Sequence, residues 1–219
     1  MDGVQRVETM MTNEPKEGEF FQLRPDARRG GKGHGVVFEN REALLTPPRL
    51  ILKPKQGGFP TLRETPRLVY IPSEGSLPED LEGGFSGYWL VSDRLRQVME
   101  HVDPSAFVFA DTDYRLPDGS RGPRVFLCDV VRTVDALDED ASELTIEISD
   151  DYEDGKYYDM AGGTRLAFKR DVLAGAHVFR LPFLGGVFCD RVFKDAVEAA
   201  GIGTQGQSDG LWFYDVVNR

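Results

Sequence analysis

Two stretches of this chain are built alike, and together they limit what it can fold into. "YWLVSDRLRQVMEHVD", from Tyr88, and "VFCDRVFKDAVEAAG", from Val187, each run from an apolar strand-like segment through a small polar residue and Asp-Arg into a helical pattern. In the first, Ser92 is a suitable helix N-cap, and Asp93 sits where the helix dipole favours an anion. Leu95, Val98, Met99 and Val102 follow at the i, i+3, i+4, i+7 spacing of an amphipathic helix, which Asp103-Pro104 ends. In the second, Val192, Phe193, Ala196, Val197 and Ala200 form the apolar face, Cys189 or Asp190 the cap, and Gly201 the stop. The spacing predicts helices over 92–102 and 190–200, and two such strand-helix units can pack both helices on one sheet.

The rest of the chain is richer in strand patterns. "AFVFA", "RVFLCDVV", "TRLAFK", "HVFRL" and "LWFYDVV" read as strands, and the second is apolar enough to be central in a sheet. In "SELTIEIS", Leu144, Ile146 and Ile148 alternate with Glu143, Thr145, Glu147 and Ser149, which describes a half-buried strand with an acidic outer face. Nearer the N-terminus, order begins at "EGEFFQL", and "RRGGKGHG" is a loop. "TPPRLILK" at Thr46 and "TPRLVYIP" at Thr65 read as short edge strands opened by proline. "SEGSLPEDLEGGFSG" marks a soft boundary through its Gly, Pro and acid content. The expected fold is α+β, a mixed or antiparallel sheet with two similar strand-helix units and a loop-rich, strand-dominated N-terminal region. Residues 1–16 read as a flexible leader, with Met11 offering a second start. Residues 17–85 form the β region and 86–219 the α+β domain, with one continuous domain over 17–219 as the alternative. An apolar content of 40% with 14 Phe supports a core that needs no disulfide.

Charge is concentrated. From Asp135 to Asp159 the chain holds eleven carboxylates and a single base, Lys156, so nearly all of the formal net charge of −11 sits there. Such a stripe repels nucleic acid and attracts basic protein surfaces, although a solvated edge that only confers solubility has the same composition. Within it, "DDYEDGKYYD" interleaves Asp150, Asp151, Glu153 and Asp154 with Tyr152, Tyr157 and Tyr158. Tyrosine is a favoured interface residue and carboxylates pair well with Lys and Arg, so these seven residues are the expected contact surface for a basic protein partner. The loop is no EF-hand, because Tyr152 takes the third position and Ala161 the twelfth, where a bidentate Glu is required.

Other chemistry is thin. His34, His101 and His177 stand apart from one another and from carboxylates at metal-ligand spacing. In the glycine loop Lys32 is followed by Gly33 and His34 rather than Ser or Thr, so it is no P-loop. Cys189, at a helix N-terminus, has the position of an activated thiol with His177 as the tempting base, but "FCD" lacks glycine-rich surroundings for an oxyanion hole. No cofactor, metal or membrane span is expected. Two cysteines and an N-terminus without a signal or transit pattern suggest a reducing, cytoplasmic setting.

"GYWLVSDRLRQVMEHVDPSAFVF", "CDVVRTVDALDEDAS", "HVFRLPF" and "VFCDRVFKDAVEAAGI" together resemble the eleventh family of immunity proteins in bacterial polymorphic toxin systems. That family shows a "VS-x-R-L" strand-helix corner, an "LD-x-x-x-S" stretch, an "FR" strand and a second corner in this order. The resemblance spans about residues 17–202. It departs at "CDRVF", where "SERL" is more typical, and beyond Gly201. It implies an α+β protein that binds and neutralises a cognate toxin, and it names no contact residues. A cysteine-dependent hydrolase and a non-catalytic subunit of a complex are the alternatives.

Overall fold

The computed structural model describes residues 13–29, 33–45, 52–152, 154–161, 163–204 and 207–217. Most of "TPPRLILK", residues 46–51, and Glu153 lie outside these. The described chain is strand-dominated α+β, as the patterns predicted, and it runs through one arrangement twice. The first pass begins with β1 (Phe20–Pro25), then a segment holding β2 (Val36–Phe38) and β3 (Arg67–Tyr70). It continues with a hairpin of β4 (Leu81–Phe85) and β5 (Tyr88–Ser92), helix α1 (Asp93–Val102) and β6 (Phe107–Asp111). After β7 (Asp113–Arg115), the second pass begins with β8 (Val125–Val130). It continues through β9 (Thr145–Ile148), β10 (Lys156–Asp159) and the single turn α2 (Arg170–Leu173) to the hairpin β11 (Val178–Leu181) and β12 (Leu184–Asp190). Helix α3 (Arg191–Ala199) and β13 (Leu211–Asp215) end it.

The two passes exchange their first strands. One sheet has the order β4-β5-β8-β6 and the other β11-β12-β1-β13, with every neighbour antiparallel. Thus β8, from the second pass, is central in the first sheet, and β1 takes the same place in the second. The registers also agree. Val125 lies opposite Ser92 as Phe20 lies opposite Asp190, and Phe109 lies opposite Cys128 as Phe213 lies opposite Leu23.

This register decides the second cap. Ser92 Oγ accepts from the Leu95 amide at 3.2 Å, and the Asp190 carboxylate accepts from the Phe193 amide at 3.0 Å. Asp190 is therefore the cap, and Cys189 corresponds to Val91 on the strand. Counting from the caps, Leu95 and Met99 match Phe193 and Val197, all fully buried. Each such side chain contributes about 1.5–3 kcal/mol relative to exposure. Arg96 pairs with Glu100, and Lys194 with Glu198. The Arg96 guanidinium lies 4.2 Å from the Phe126 ring centre and 5.3 Å from that of Phe109, while the Lys194 ammonium lies 5.5 and 5.8 Å from the matching Phe21 and Phe213.

Helices α1 and α3 pack on each other and share one core with the inner faces of both sheets. The halves are also clasped reciprocally at their hairpins. The Asp209 carbonyl accepts from the Asp80 and Leu81 amides at 3.0 and 3.3 Å, and the buried Asp103 carboxylate accepts from those of His177 and Val178 at 2.9 and 3.0 Å. The intervening segments cover the outer faces. Leu44, Leu68 and Tyr114 pack on Tyr88, Leu90 and Leu127, and Tyr158, Leu166 and Phe168 pack on Phe20, Phe179 and Phe188.

Three local expectations need correction. β3 is not an edge strand: it lies between β2, antiparallel, and β7, parallel, and Pro66 before it supplies only a carbonyl, to the Asp113 amide. "TRLAFK" is not a strand, because its backbone bonds diverge to Glu143, Val216, Ser142 Oγ and Ala136 instead of following one neighbour. Ile148 is 73% exposed, since it ends β9 beyond the surface on which Leu144 and Ile146 are half-buried. The glycine-rich "LEGGF" forms β4, with a register irregularity between Glu82 and Phe85 that accommodates Gly84 at φ +87°.

Ser92→Ala and Asp190→Ala should each cost about 1 kcal/mol in denaturant unfolding. Cys189→Ala should leave the α3 N-terminal amides as protected from exchange as in the wild type. Equal loss of that protection in Cys189→Ala would place the cap one residue earlier.

Candidate functional site

The acidic stretch folds as the hairpin β9–β10, a two-stranded sheet of its own with Tyr158 opposite Ile146 and Tyr157 opposite Glu147. Strand alternation sends these two tyrosines to opposite faces. Tyr158 goes inward and is fully buried beside Phe183, with ring centres 5.5 Å apart. Its hydroxyl donates to Glu139 Oε1 at 2.6 Å, and its amide donates to the Phe183 carbonyl at 3.0 Å. Burial, then the hydrogen bond to Glu139, pushes the Tyr158 hydroxyl well above the usual tyrosine range. Lys156, the one base of the stretch, also binds Glu139 and lies over the Phe183 ring. The Lys156 and Tyr158 hydrogen bonds hold the Glu139 carboxyl below its ordinary value. The hairpin is thereby riveted to the turn between β11 and β12.

Tyr157 goes outward, 40% exposed, and stacks on Tyr152 with ring centres 5.5 Å apart. The Tyr152 hydroxyl donates to Glu147, which raises its pKa. The connecting loop closes on itself through the Ser149 amide to the Gly155 carbonyl at 3.2 Å and the Gly155 amide to the Tyr152 carbonyl at 3.0 Å, with Gly155 at φ +70°. Asp150, Asp151 and Asp154 stand exposed on this tip. Among the described residues none of the three has an ion pair. Ile148 lies beside them, so the tip joins an apolar side chain to three unneutralised carboxylates. Of the seven residues expected at the contact surface, the structure brings five together at the tip: Asp150, Asp151, Tyr152, Asp154 and Tyr157. Tyr158 is corrected to a core anchor, because a fully buried ring cannot touch a partner, and Glu153 lies outside the described residues. Ile148 was missed, since the alternation that marked it as buried does not show where a strand outruns its support.

The remaining candidates are drawn into structure. Cys189 is fully buried, and desolvation pushes its thiol well above the ordinary range, opposite to what a nucleophile needs. Cys128 is buried and shifted upward for the same reason. His177 Nδ1 lies 2.7 Å from the capping Asp190, and His34 sits between the Val36 amide and the Gly83 carbonyl. Among the described residues no group of three His, Cys, Asp or Glu side chains is placed to hold a metal ion, and no helix is long and apolar enough to cross a membrane.

The described chain is thus an α+β scaffold of two strand-exchanged halves with an acidic, partly apolar hairpin tip held at its base. The chain belongs to the immunity protein family (Imm11), whose family model matches residues 19–218. It is accordingly an immunity protein of a toxin system. No curated protein matches it.

Tyr158→Ala should destabilise the protein by about 3–5 kcal/mol in denaturant unfolding, whereas Tyr157→Ala should stay within about 0.5 kcal/mol. The pH dependence follows from Glu139. Its folded pKa is depressed, so its contribution is fully present above the ordinary Glu value of about 4.3 and is lost as pH falls through the lower folded value. Amide exchange in β9 and β10 should therefore accelerate below about pH 4, and less so in Glu139→Gln relative to its own value at neutral pH.

Proposed function

We propose that this protein neutralises its cognate toxin by direct contact, with the β9–β10 tip seated on a basic toxin surface. The observation that carries the reading is the tip itself, where Asp150, Asp151 and Asp154 are exposed without an ion pair among the described residues, next to exposed Ile148 and Tyr157. Unpaired carboxylates on a held hairpin attract a cationic surface over the Debye length, about 8 Å at physiological ionic strength. Ile148 and Tyr157 then supply the apolar contact that slows dissociation. Toxins acting on nucleic acid need basic clefts to hold phosphate, and such clefts complement this tip while the same charge repels nucleic acid from the immunity protein. The action is stoichiometric rather than enzymatic, as the buried, upshifted Cys189 thiol supports. Two unpaired, buried cysteines suit the reducing cytoplasm as its place of action.

The test is binding of the purified toxin encoded beside its gene, followed at two salt concentrations. Asp150, Asp151, Glu153 and Asp154 changed together to Asn or Gln should slow association and flatten its salt dependence. Ile148→Ala and Tyr157→Ala should chiefly speed dissociation, and a true hot spot loses at least about 2 kcal/mol. Unchanged association and salt dependence in the charge variant would move the interface elsewhere. Cys189→Ala should protect against the toxin as well as wild type does.

A further inference from the structure

The hairpin that carries the acidic tip leaves one side of its backbone unused. Residues of a strand turn their amides and carbonyls alternately to its two sides. Tyr158 donates its amide to the Phe183 carbonyl, away from β9, so the facing residues Tyr158 and Ile146 exchange no backbone bond. Thr145, Glu147 and Ser149 therefore turn to β10, and the Ser149 amide reaches the Gly155 carbonyl on that side. Glu143 turns the same way and exchanges both its backbone bonds with Arg165. Leu144, Ile146 and Ile148 turn to the other side. Among the described residues, no hydrogen bond reaches the amide or carbonyl of these three. Elsewhere the chain closes such edges itself. The Phe183 carbonyl meets β10, Arg132 and Val134 bond the outward Arg180 of β11 at 2.9 Å each, and the Asp209 carbonyl meets Leu81 of β4.

The side chains along this open edge define what fits it. Glu143, Thr145 and Glu147 stand on the outer face with Tyr157, and Leu144, Ile146 and Ile148 on the opposite one. The Glu143 side chain is 74% exposed with Arg165 Nε at 4.0 Å, and Glu147 accepts from the Tyr152 hydroxyl rather than from a cation. Asp150 and Asp151 continue the acidic row past Ile148. A strand paired here would meet carboxylates on one face and apolar side chains on the other, and opposite charges and apolar pairs across strands both stabilise the pairing. We propose that β9 receives an extended segment of the toxin as an added strand. In that segment Lys or Arg alternates with apolar residues, the bases beside Glu143 and Glu147 and the apolar side chains beside Ile146 and Ile148. Strand addition draws affinity from main-chain bonds and specificity from alternate side chains. The inference rests on the reading that the tip meets the toxin, and it brings the backbone into that contact.

The test is amide hydrogen exchange of the full chain, free and with the purified toxin encoded beside its gene. Toxin should slow exchange at Leu144, Ile146 and Ile148 by at least about tenfold, while Thr145 and Glu147, already bonded to β10, change little. Ile148→Pro removes an outward amide and spares the ladder to β10, a position at which an edge strand accepts proline. Ile148→Ala removes the same apolar contact and keeps the amide. Toxin should bind the proline variant at least about tenfold more weakly than the alanine variant, with wild-type exchange at Glu147 and Tyr157 verifying that the hairpin is intact. Equal binding of the two variants would overturn the proposal. Slowed exchange at Asp150 and Asp151 without the outward amides of β9 would overturn the added strand and leave the tip contact standing. A bound toxin that slows exchange at neither place would overturn both. Slowing at Leu144, Ile146 and Ile148 in the free chain that grows with its concentration would make a second copy the occupant, which also overturns the proposal.

Discussion

Most of this structure depends on the exchange of two strands. β1 belongs by sequence to the first half but completes the second sheet between β12 and β13, and β8 does the reverse between β5 and β6. Removing either would strip the central strand from a four-stranded sheet and leave unpaired backbone on both neighbours, which buried amides and carbonyls do not tolerate cheaply. The exchange also brings Phe21 and Leu23 into the core with Phe126 and Cys128, so the halves share one apolar interior. Neither half has a complete core of its own. The contacts that define the fold therefore join residues far apart in sequence, and their closure entropy is met only when both halves are present.

On this common frame the halves diverge where the covering segments differ. Both segments carry an antiparallel pair, β2–β3 in one and β9–β10 in the other, and both seal the outer face of a sheet. β2–β3 is extended by β7 into a three-stranded sheet, whereas β9–β10 stays two-stranded and reaches beyond its support. That overreach leaves Ile148, Tyr157 and the aspartates at the surface, while Tyr158 and Glu139 hold the base still. For the contact proposed at this tip, a base held in place means that little conformational freedom is lost on binding, which favours affinity without a large area.

Much of this was legible in the chain. Both helices, the central position of β8 and the charge concentration follow from spacing and composition, which act over a few residues. The second cap shows where legibility ended. "VSD" and "FCD" look aligned, but the match of Ser92 is Asp190 rather than Cys189, because cap position is set by register against β1 and β8 rather than by neighbours along the chain. Tyr157 and Tyr158 show the same limit. Composition places both in an acidic loop, and alternation says only that they face opposite ways. Which face is inside depends on Phe183 in the turn between β11 and β12 and on Glu139 ahead of the hairpin.

By itself, the sequence determined the local periods: where the backbone coils or extends, which segments carry apolar faces, and where charge collects. Those follow from side-chain spacing and local hydrogen bonding. The tertiary structure alone decided which strands pair, that the halves trade their first strands, that Cys189 is sealed in the core and that Ile148 is left outside. Pairing is chosen by nonlocal burial and backbone hydrogen bonding, and many short apolar strands of similar composition satisfy the local pattern equally well, so only the packed whole selects among them.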